Sequence, residues 1–424
     1  MKNPYFISLF ALSLTLSVNQ IAVAADGKGQ SAEPAAESAE APSAVADVDY
    51  KIGILAAEIE RLRLGEVAPT ATVRRYGLGP AASKVYSGGE GVSLGGYGEM
   101  LYHNILGESG DARFDFYRAI LYAGYKFNEH FVLNTEIEFE HIKEVVLEFA
   151  YLDFLWRDQL NLRAGLVLVP MGLINELHEP TTYLGALRPE SERRILPSTW
   201  RENGIGVFGQ VADFQYRAYL LSGFNAAGFS AAGLRGGRQK GAKALNDDWG
   251  GVLRVDWLGV DGVTVGGSAY YGGADQAQFA FNVSNLLYEV HADIDLRGWK
   301  VRGLYTGARV WGAGRLNAAL GLTGADAVGK SMHGGYVQFG YDILRPFDSG
   351  DVALIPYLRF EKLDTQAAVT AAYERDPARR ETIISVGASF LPMPQIVVKA
   401  EYQQSYDGAN TRRNTFNSVV GYIF

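Results

Sequence analysis

The sequence of 424 residues contains no cysteine, no long apolar segment in its interior and no excess of basic residues. The lack of cysteine excludes a disulfide framework. No interior segment reaches the roughly 20 consecutive apolar residues that a membrane-spanning helix needs. The formal net charge of −8 argues against a nucleic-acid partner. If the chain spans a membrane, it must therefore do so with β-strands.

Signs of enzymatic chemistry are also missing. Residues 324–331 match the phosphate-loop pattern, but the segment after them alternates like a strand, whereas that motif must open a helix. We therefore expect no nucleotide site, no other cofactor and no catalytic residue. The histidines show no zinc-ligand spacing, so no metal site is expected either; they are His103, His130, His141, His178, His291 and His333.

The N-terminal segment has the features of an exported protein. Lys2 precedes an apolar run over 5–18 and the small residues Ala22-Val23-Ala24, which predicts a signal peptide over residues 1–24. Residues 25–47 consist largely of Ala, Glu, Ser and Pro and predict a disordered spacer. The mature chain should begin near Ala25.

A short helix is predicted over residues 48–65. Its apolar residues Ile52, Leu55, Ile59 and Leu62 follow the spacing of a coiled coil. Two interpretations stay open, namely self-association through this helix and a lone amphipathic helix. Residues 66–91, rich in Gly, Pro, Ala and Ser, predict a linker.

From residue 92 to the end, segments of about ten residues alternate between apolar and polar side chains. In the segment 131–141, Phe131 and Phe139 share one face, and Glu136 and Glu138 share the other. Such alternation is expected where one face of a strand meets lipid and the other meets water. The 50 Gly, 24 Tyr and 21 Phe also suit a barrel with aromatic girdles.

The spacing of these segments predicts an all-β, transmembrane antiparallel barrel over 92–424. Short turns alternate with long loops, as in spanning barrels, although the connection at 141–143 is too short for the loop that this pattern places there. We expect sixteen strands, near 92–103, 113–127, 130–141, 144–155, 159–169, 204–211, 214–224, 249–257, 263–271, 286–296, 299–309, 332–342, 353–363, 380–390, 395–405 and 413–424.

Several motifs resemble those of a known family. They are Gly165 to Gly172, Arg188-Pro189-Glu190-Ser191-Glu192-Arg193 and Pro197 to Gly206. Together they look like the phosphate-selective porin O and P family of the Gram-negative outer membrane, over essentially the whole mature chain. The resemblance implies a sixteen-stranded, trimeric porin whose third external loop folds inward and narrows the channel.

The connection from Pro170 to Asn203 is then the expected constriction. Its opposed charges predict either a transverse field across the opening or salt bridges that pin the loop to the wall. The candidate residues are Arg188, Glu190, Glu192, Arg193, Arg194, Arg201 and Glu202. A second basic group, Arg235, Arg238, Lys240 and Lys243, lies in the next external loop, where it either attracts anions or is simply solvated.

Alternation also places charged residues on the lumen wall. Because acidic and basic residues both occur there, the sequence assigns no phosphate site and leaves the ion preference open. The candidate wall residues are Glu136, Glu138, Glu140, Arg163, Arg217, Arg254, Arg302 and Arg359.

The expected function is passive diffusion of small hydrophilic solutes or ions, with a possible preference for anions or phosphate. The expected partners are outer-membrane lipids, these solutes and two further copies of the chain. Two alternatives remain. One is an outer-membrane hydrolase, for which His103 and His141 are the candidates. The other is a structural or adhesive barrel whose inward charges pair and which carries no current.

Overall fold

The computed structural model describes residues 74–108, 110, 112–347 and 350–424. The predicted signal peptide, spacer and short helix, residues 1–65, lie outside the described residues. In the described part of the chain, no helix is long and apolar enough to cross a membrane.

The described residues contain sixteen β-strands that form one closed antiparallel barrel. Each strand pairs with its neighbours in sequence, and β1 closes the barrel by pairing with β16. This confirms the predicted fold class and strand number. The strands are β1 Gly91–Ile105, β2 Arg113–Lys126, β3 Phe131–Glu140, β4 Glu144–Arg157, β5 Leu160–Leu168, β6 Arg201–Val211, β7 Phe214–Ser222, β8 Trp249–Val260, β9 Val263–Gly273, β10 Ser284–Leu296, β11 Trp299–Trp311, β12 Ser331–Tyr341, β13 Ala353–Ala368, β14 Arg380–Met393, β15 Ile396–Asp407 and β16 Arg412–Ile423.

Helices are few and short. Within the described residues there are two α-helices, α1 (Glu190–Arg194) and α2 (Ala313–Ala319). Single 3₁₀ turns occur at Lys84–Tyr86, Ala226–Gly228, Arg235–Gly237, Gly324–Asp326, Arg345–Phe347 and Pro377–Arg379. The segment that matches the phosphate-loop pattern therefore precedes β12, as expected, and opens no helix.

The inner face of the sheet is polar and the outer face is apolar, which is the reverse of a soluble barrel. In β3, Asn134, Glu136 and Glu138 are buried inside, whereas Phe131 and Phe139 are exposed outside. Large exposed apolar surfaces mark contact with lipid or with another protein. The exposed aromatic residues concentrate near both ends of the strands, as in aromatic girdles: Tyr125, Phe131, Trp156, Phe214, Trp299 and Phe424 at one end, and Phe114, Phe139, Trp249, Tyr271 and Trp311 at the other.

The connections at the two ends of the barrel differ in length. Two-residue turns such as 212–213 and 297–298 lie at one end, called here the turn end, while long connections such as 169–200 and 223–248 lie at the other, the loop end. The three-residue connection 141–143 lies at the loop end. His141 and Ile142 both have left-handed backbone angles, with φ of 52° and 62°, which suits a tight hairpin. The short connection that the sequence placed here is therefore confirmed.

Residues 74–90, which the sequence assigns to a linker, pack inside the barrel. Leu78, Ala82, Val85 and Tyr86 are buried in the main apolar cluster. The Tyr86 hydroxyl donates to Asp153 on β4 at 2.7 Å and accepts from Arg163 on β5 at 3.1 Å. This segment, called here the plug, fills part of the lumen next to β1–β5.

Candidate pore and its lining

The third loop, residues 169–200, lies in the lumen and reaches walls on different sides of the barrel. His178 contacts Glu136 on β3 at 3.0 Å, and the Ser191 hydroxyl donates to Glu361 on β13 at 2.7 Å. The base of the loop is apolar, because Trp200 stacks on Phe224 with ring centroids 4.5 Å apart. The loop is therefore fixed by packing at its base and by polar contacts where it crosses the lumen.

The stretch 182–187 within this loop, called here the strap, is held by its main-chain carbonyl groups. Side chains from four strands of the wall donate hydrogen bonds to successive carbonyl oxygens. The donors are Arg302 to Thr182 at 3.1 Å, Lys399 to Tyr183 at 2.7 Å and to Gly185 at 2.9 Å, Ser389 to Leu184 at 2.7 Å and Arg359 to Leu187 at 3.2 Å. The three cationic donors, Arg302, Lys399 and Arg359, are therefore bound to peptide groups of the strap.

The strap separates two cavities. The cavity toward the turn end has a volume of about 640 Å³ and is lined by Thr182, Asp293 and Arg302, among others. The cavity toward the loop end has a volume of about 370 Å³ and is lined by Arg188 and His103, among others. Tyr183 lines both cavities. Tyr183 of the strap therefore lies between the two cavities.

Tyr183 is held in place on two sides. Its hydroxyl donates to Glu99 on β1 at 2.8 Å. The Lys399 ammonium group lies 3.7 Å from the centre of its ring, a favourable cation–π distance. The strap is thereby connected to β1 as well as to β15.

The proposed constriction residues divide into two groups in the structure. The first group lines the loop-side cavity and consists of Arg188, Glu190, Arg193 and Arg194. Within α1, Glu190 pairs with Arg193 and with Arg194, each at 2.6 Å, and Arg194 also pairs with Glu381 on β14. The two arginine partners lower the pKa of Glu190 below its usual value, although burial opposes this shift.

The second group, Glu192, Arg201 and Glu202, is buried and bound internally. Glu192 accepts hydrogen bonds from the amides of Leu173 and Ile174, both at 2.8 Å. Arg201 pairs with Glu148 at 2.8 Å. Glu202 accepts from the Trp200 indole at 3.2 Å. Only Arg201 forms a salt bridge here, because the donors to Glu192 and Glu202 are uncharged groups. All three side chains hold the loop in place.

The proposed wall residues also have close partners. Buried ion pairs join Arg163 to Asp153 at 2.8 Å, Arg302 to Asp293 at 2.7 Å and Arg359 to Glu401 at 3.2 Å. Glu140, at the end of β3, is only half-buried. The remaining pairs are Glu136 with His178, Glu138 with Arg118, and Arg217 and Arg254 with Asp256.

Two elements of the lumen were not predicted from the sequence. The first is the plug, whose Gly and Ala content is typical of a linker. The second is Glu179 of the third loop, whose carboxylate accepts hydrogen bonds from the amides of Ala81 and Ala82 at 3.2 and 3.0 Å. Burial raises the pKa of Glu179 to about 7, against these hydrogen bonds, which lower it. No sequence pattern marks this contact, because it joins residues nearly 100 positions apart.

Solved structures share the fold. The chain matches OmpT, an outer membrane protein of Vibrio cholerae in a trimer form, with a TM-score of 0.51 and 11% identity over 80% of this chain and 100% of that one. It matches an anion-selective porin from Comamonas acidovorans with a TM-score of 0.51 and 10% identity over 78% of this chain and 99% of that one. At such identities these matches show the barrel fold of outer-membrane porins alone.

Sequence comparison gives a more similar relative. No protein-family model matches the chain, so the likeness to phosphate-selective porins rests on the motifs quoted above. An uncharacterized protein of Aquifex aeolicus (strain VF5) is 36% identical over 381 residues, which cover 86% of this chain and 87% of that protein. The chain, a sixteen-stranded barrel with the fold of outer-membrane porins, belongs to the same family as this Aquifex aeolicus protein.

Proposed function

We propose that the protein is an outer-membrane porin, through which small hydrophilic solutes diffuse past a constriction formed by the third loop. The observation that carries the proposal is the pair of polar cavities on either side of the strap, inside a barrel with an apolar outer surface. A barrel of sixteen strands is wide enough to hold a channel. The strap would set the size limit, since Tyr183 borders both cavities.

The proposed ion preference is for anions. The loop-side cavity is lined by Arg188, Arg193, Arg194 and Arg413 against the carboxylates Glu190 and Glu381. An excess of one sign in a low-dielectric mouth raises the local concentration of the opposite ion. The Comamonas acidovorans barrel with the same fold is an anion-selective porin, which supports this proposal without assigning the solute.

The proposed setting is the outer membrane of a Gram-negative bacterium, with the chain as a homotrimer. The aromatic residues near both strand ends fit the two membrane interfaces. The barrel of OmpT is described in a trimer form, which supports the same assembly here.

A catalytic role is not part of the proposal. Of the two histidines that the hydrolase alternative required, His103 contacts the Asn417 side chain at 2.7 Å and His141 contacts Asp115 at 2.5 Å. Neither has a serine as a hydrogen-bond partner within the described segments. Both arrangements are those of polar residues at the rim of the barrel.

A second candidate is a closed, structural barrel. The pairing of the wall charges and the burial of the plug favour it. Burying ion pairs away from water is costly, so this candidate requires a structural benefit that offsets the cost. The two candidates differ in one property, which is whether the folded protein conducts ions.

Conductance in a planar bilayer tests the proposal directly. The purified, unheated protein is inserted under a potassium chloride gradient. We expect current steps in groups of three, with a reversal potential of the sign that anion permeation produces. A reversal potential of the opposite sign would show a cation channel and refute the ion preference. Protein that is folded by circular dichroism but gives no current would instead establish the closed barrel.

A further inference from the structure

A third cavity, called here the vestibule, opens at the loop end and has a volume of about 960 Å³. It shares Arg193, Arg194 and Arg413 with the loop-side cavity above the strap. Seven cationic side chains and three carboxylates line it, which gives a net formal charge of +4. The cationic residues are Arg193, Arg194, Arg235, Arg238, Lys240, Arg379 and Arg413, and the carboxylates are Asp376, Glu381 and Asp407.

The carboxylates do not neutralise all of these cations. Arg194 pairs with Glu381, Arg379 pairs with Asp376 at 3.1 Å, and Arg193 and Arg194 share Glu190 of the adjoining cavity. Over the described ranges, Arg235, Arg238 and Arg413 have no carboxylate within the 4.0 Å of an ion pair. The vestibule therefore contains positive charge without matching counter-charge from the protein.

Arg235 and Arg238 lie in the loop between β7 and β8 and donate only to neutral oxygens. Arg238 donates to the carbonyl oxygens of Ser198 at 2.9 Å and Thr199 at 2.7 Å, and Arg235 donates to the Thr199 hydroxyl at 3.1 Å. Thr199 has φ of 60°, an unfavourable conformation for a β-branched residue. The two arginines are thus fixed in position by neutral oxygen atoms of the third loop.

The electrostatics agree with this geometry. Burial is the main cause that lowers the pKa of Arg238 to about 9, and the nearby Arg235 is the second. Burial and Arg193 lower the pKa of Arg235 in the same way. At neutral pH both guanidinium groups are still charged, so the protein places like charges together at a cost that a bound anion would relieve.

Arg188 extends this charge toward the strap. It lines the loop-side cavity, and its Nη2 atom is buried without a hydrogen-bond partner in the described part of the chain. A buried guanidinium nitrogen without a partner costs free energy unless a ligand or water satisfies it. The cationic surface therefore continues from the vestibule to the residue next to the strap.

We infer that the vestibule is a binding site for small organic anions that carry two or more carboxylate or phosphate groups. Arginine binds both groups through paired N–H donors. The cations lie at two separate places, since Arg235 and Arg238 are on one loop and Arg413 is on β16. This separation favours ligands with more than one anionic group. The inference rests on the proposed function, because the site would concentrate such solutes above the strap.

Calorimetric titration of the detergent-solubilised full-length protein tests the site. The probes are citrate, glucose 6-phosphate and acetate at constant ionic strength. We expect citrate to bind at least about tenfold more tightly than acetate. Comparison of citrate with glucose 6-phosphate separates carboxylate from phosphate recognition. Equal binding of acetate and citrate, or no binding of any probe, would overturn the inference.

Two variants locate the binding. R235Q/R238Q removes the unneutralised pair but also removes contacts to the third loop. K240Q/R413Q removes two cations of the vestibule that donate no side-chain hydrogen bond in the described residues. We expect each double variant to weaken citrate binding by about tenfold. The matched control is R309Q, whose side chain lies outside the barrel near Trp311; its affinity should equal that of the unmodified protein. Unchanged affinity in K240Q/R413Q would place any binding elsewhere and refute the site.

Conductance of the same samples separates the two proposals. Current without citrate binding would refute the vestibule site and leave the porin intact. Citrate binding without current would refute the open channel and leave the site.

Discussion

Glu179 is a residue whose protonation is coupled to the packing of the lumen. Its carboxylate accepts from two amides of the plug, and burial raises its pKa from 4.5 to about 7. For an acid, a raised pKa in the folded state means that the folded state binds the proton more tightly than the unfolded state. The contribution to stability is therefore fully present below about pH 4.5 and is lost as the pH rises through about 7.

This coupling predicts that Glu179→Gln flattens the pH dependence of unfolding. A difference of 2.5 pKa units corresponds to about 3 kcal/mol between pH 4.5 and pH 8. The measurement is guanidinium unfolding of the detergent-solubilised protein at both pH values. Glu140→Gln, at the half-buried end of β3, is the control and should keep the pH dependence of the unmodified protein. An identical pH profile for Glu179→Gln would show that this carboxyl group does not control the packing.

Buried ion pairs at the wall follow the same reasoning. Arg163 and Asp153 are nearly inaccessible to solvent, and Arg163 also lies over the rings of Tyr151 and Phe208. Such a pair contributes little net stability by itself, but removal of one partner leaves an uncompensated charge. The pairs therefore fix the arrangement of plug and wall more than they stabilise the barrel.

At the scale of elements, the strap is the part whose displacement would change conduction in the proposed porin. Lys399 donates to two of its carbonyl oxygens and lies over the Tyr183 ring. Hydrogen bonds from a charged donor contribute about 1.5–3 kcal/mol each. Loss of both should therefore raise the population of a displaced strap by at least about 100-fold.

The corresponding prediction is that Lys399→Met increases single-channel conductance and the frequency of current fluctuations. Planar-bilayer recordings of single channels measure both quantities. Lys362→Met is the matched control, because Lys362 lies on β13 with its side chain outside the barrel. Recordings of Lys399→Met that match those of the control would show that the strap does not limit the current.

The strands could be predicted from sequence, whereas much of the lumen could not. Alternation fixes which side chains face inward, and the spacing of turns fixes the order of the strands, because both are local properties. All sixteen predicted strands occur in the structure, although β13 extends to Ala368, beyond the predicted end at 363. The pairing of this extension with β12 includes a register shift between Ser331 and His333, which local patterns do not reveal.

The lumen is determined by long-range contacts between irregular segments. The strap carbonyl groups are bound by side chains from β11 and from β13 to β15, more than 100 residues away in sequence. Main-chain carbonyl groups carry no sequence signal, so the contacts of Lys399 and Ser389 could not be predicted. Likewise, the division of the loop charges into buried pairs and cavity-lining residues depends on the fold of the loop itself.

At the scale of the whole molecule, the polarity of the barrel is inverted relative to a soluble protein. Ion pairs and hydrogen bonds occupy the interior, and large apolar side chains cover the outside. A surface of this kind is stable in a bilayer, whose hydrocarbon interior requires a closed sheet without free edges. Tryptophan fluorescence can test this arrangement. Four tryptophans are exposed outside, namely Trp156, Trp249, Trp299 and Trp311, whereas Trp200 is buried inside.

This distribution predicts the response of tryptophan fluorescence to brominated lipids. In liposomes, lipids brominated near the headgroup should quench the outer tryptophans more strongly than lipids brominated at mid-chain, because these residues lie near the strand ends. A variant that keeps Trp200 and replaces the other five tryptophans by Phe should lose most of the quenching, since Trp200 is 1% exposed. Strong quenching in that variant would place the third loop in contact with lipid. Absence of quenching in the unmodified protein would mean that the apolar outer surface is covered by something other than a membrane.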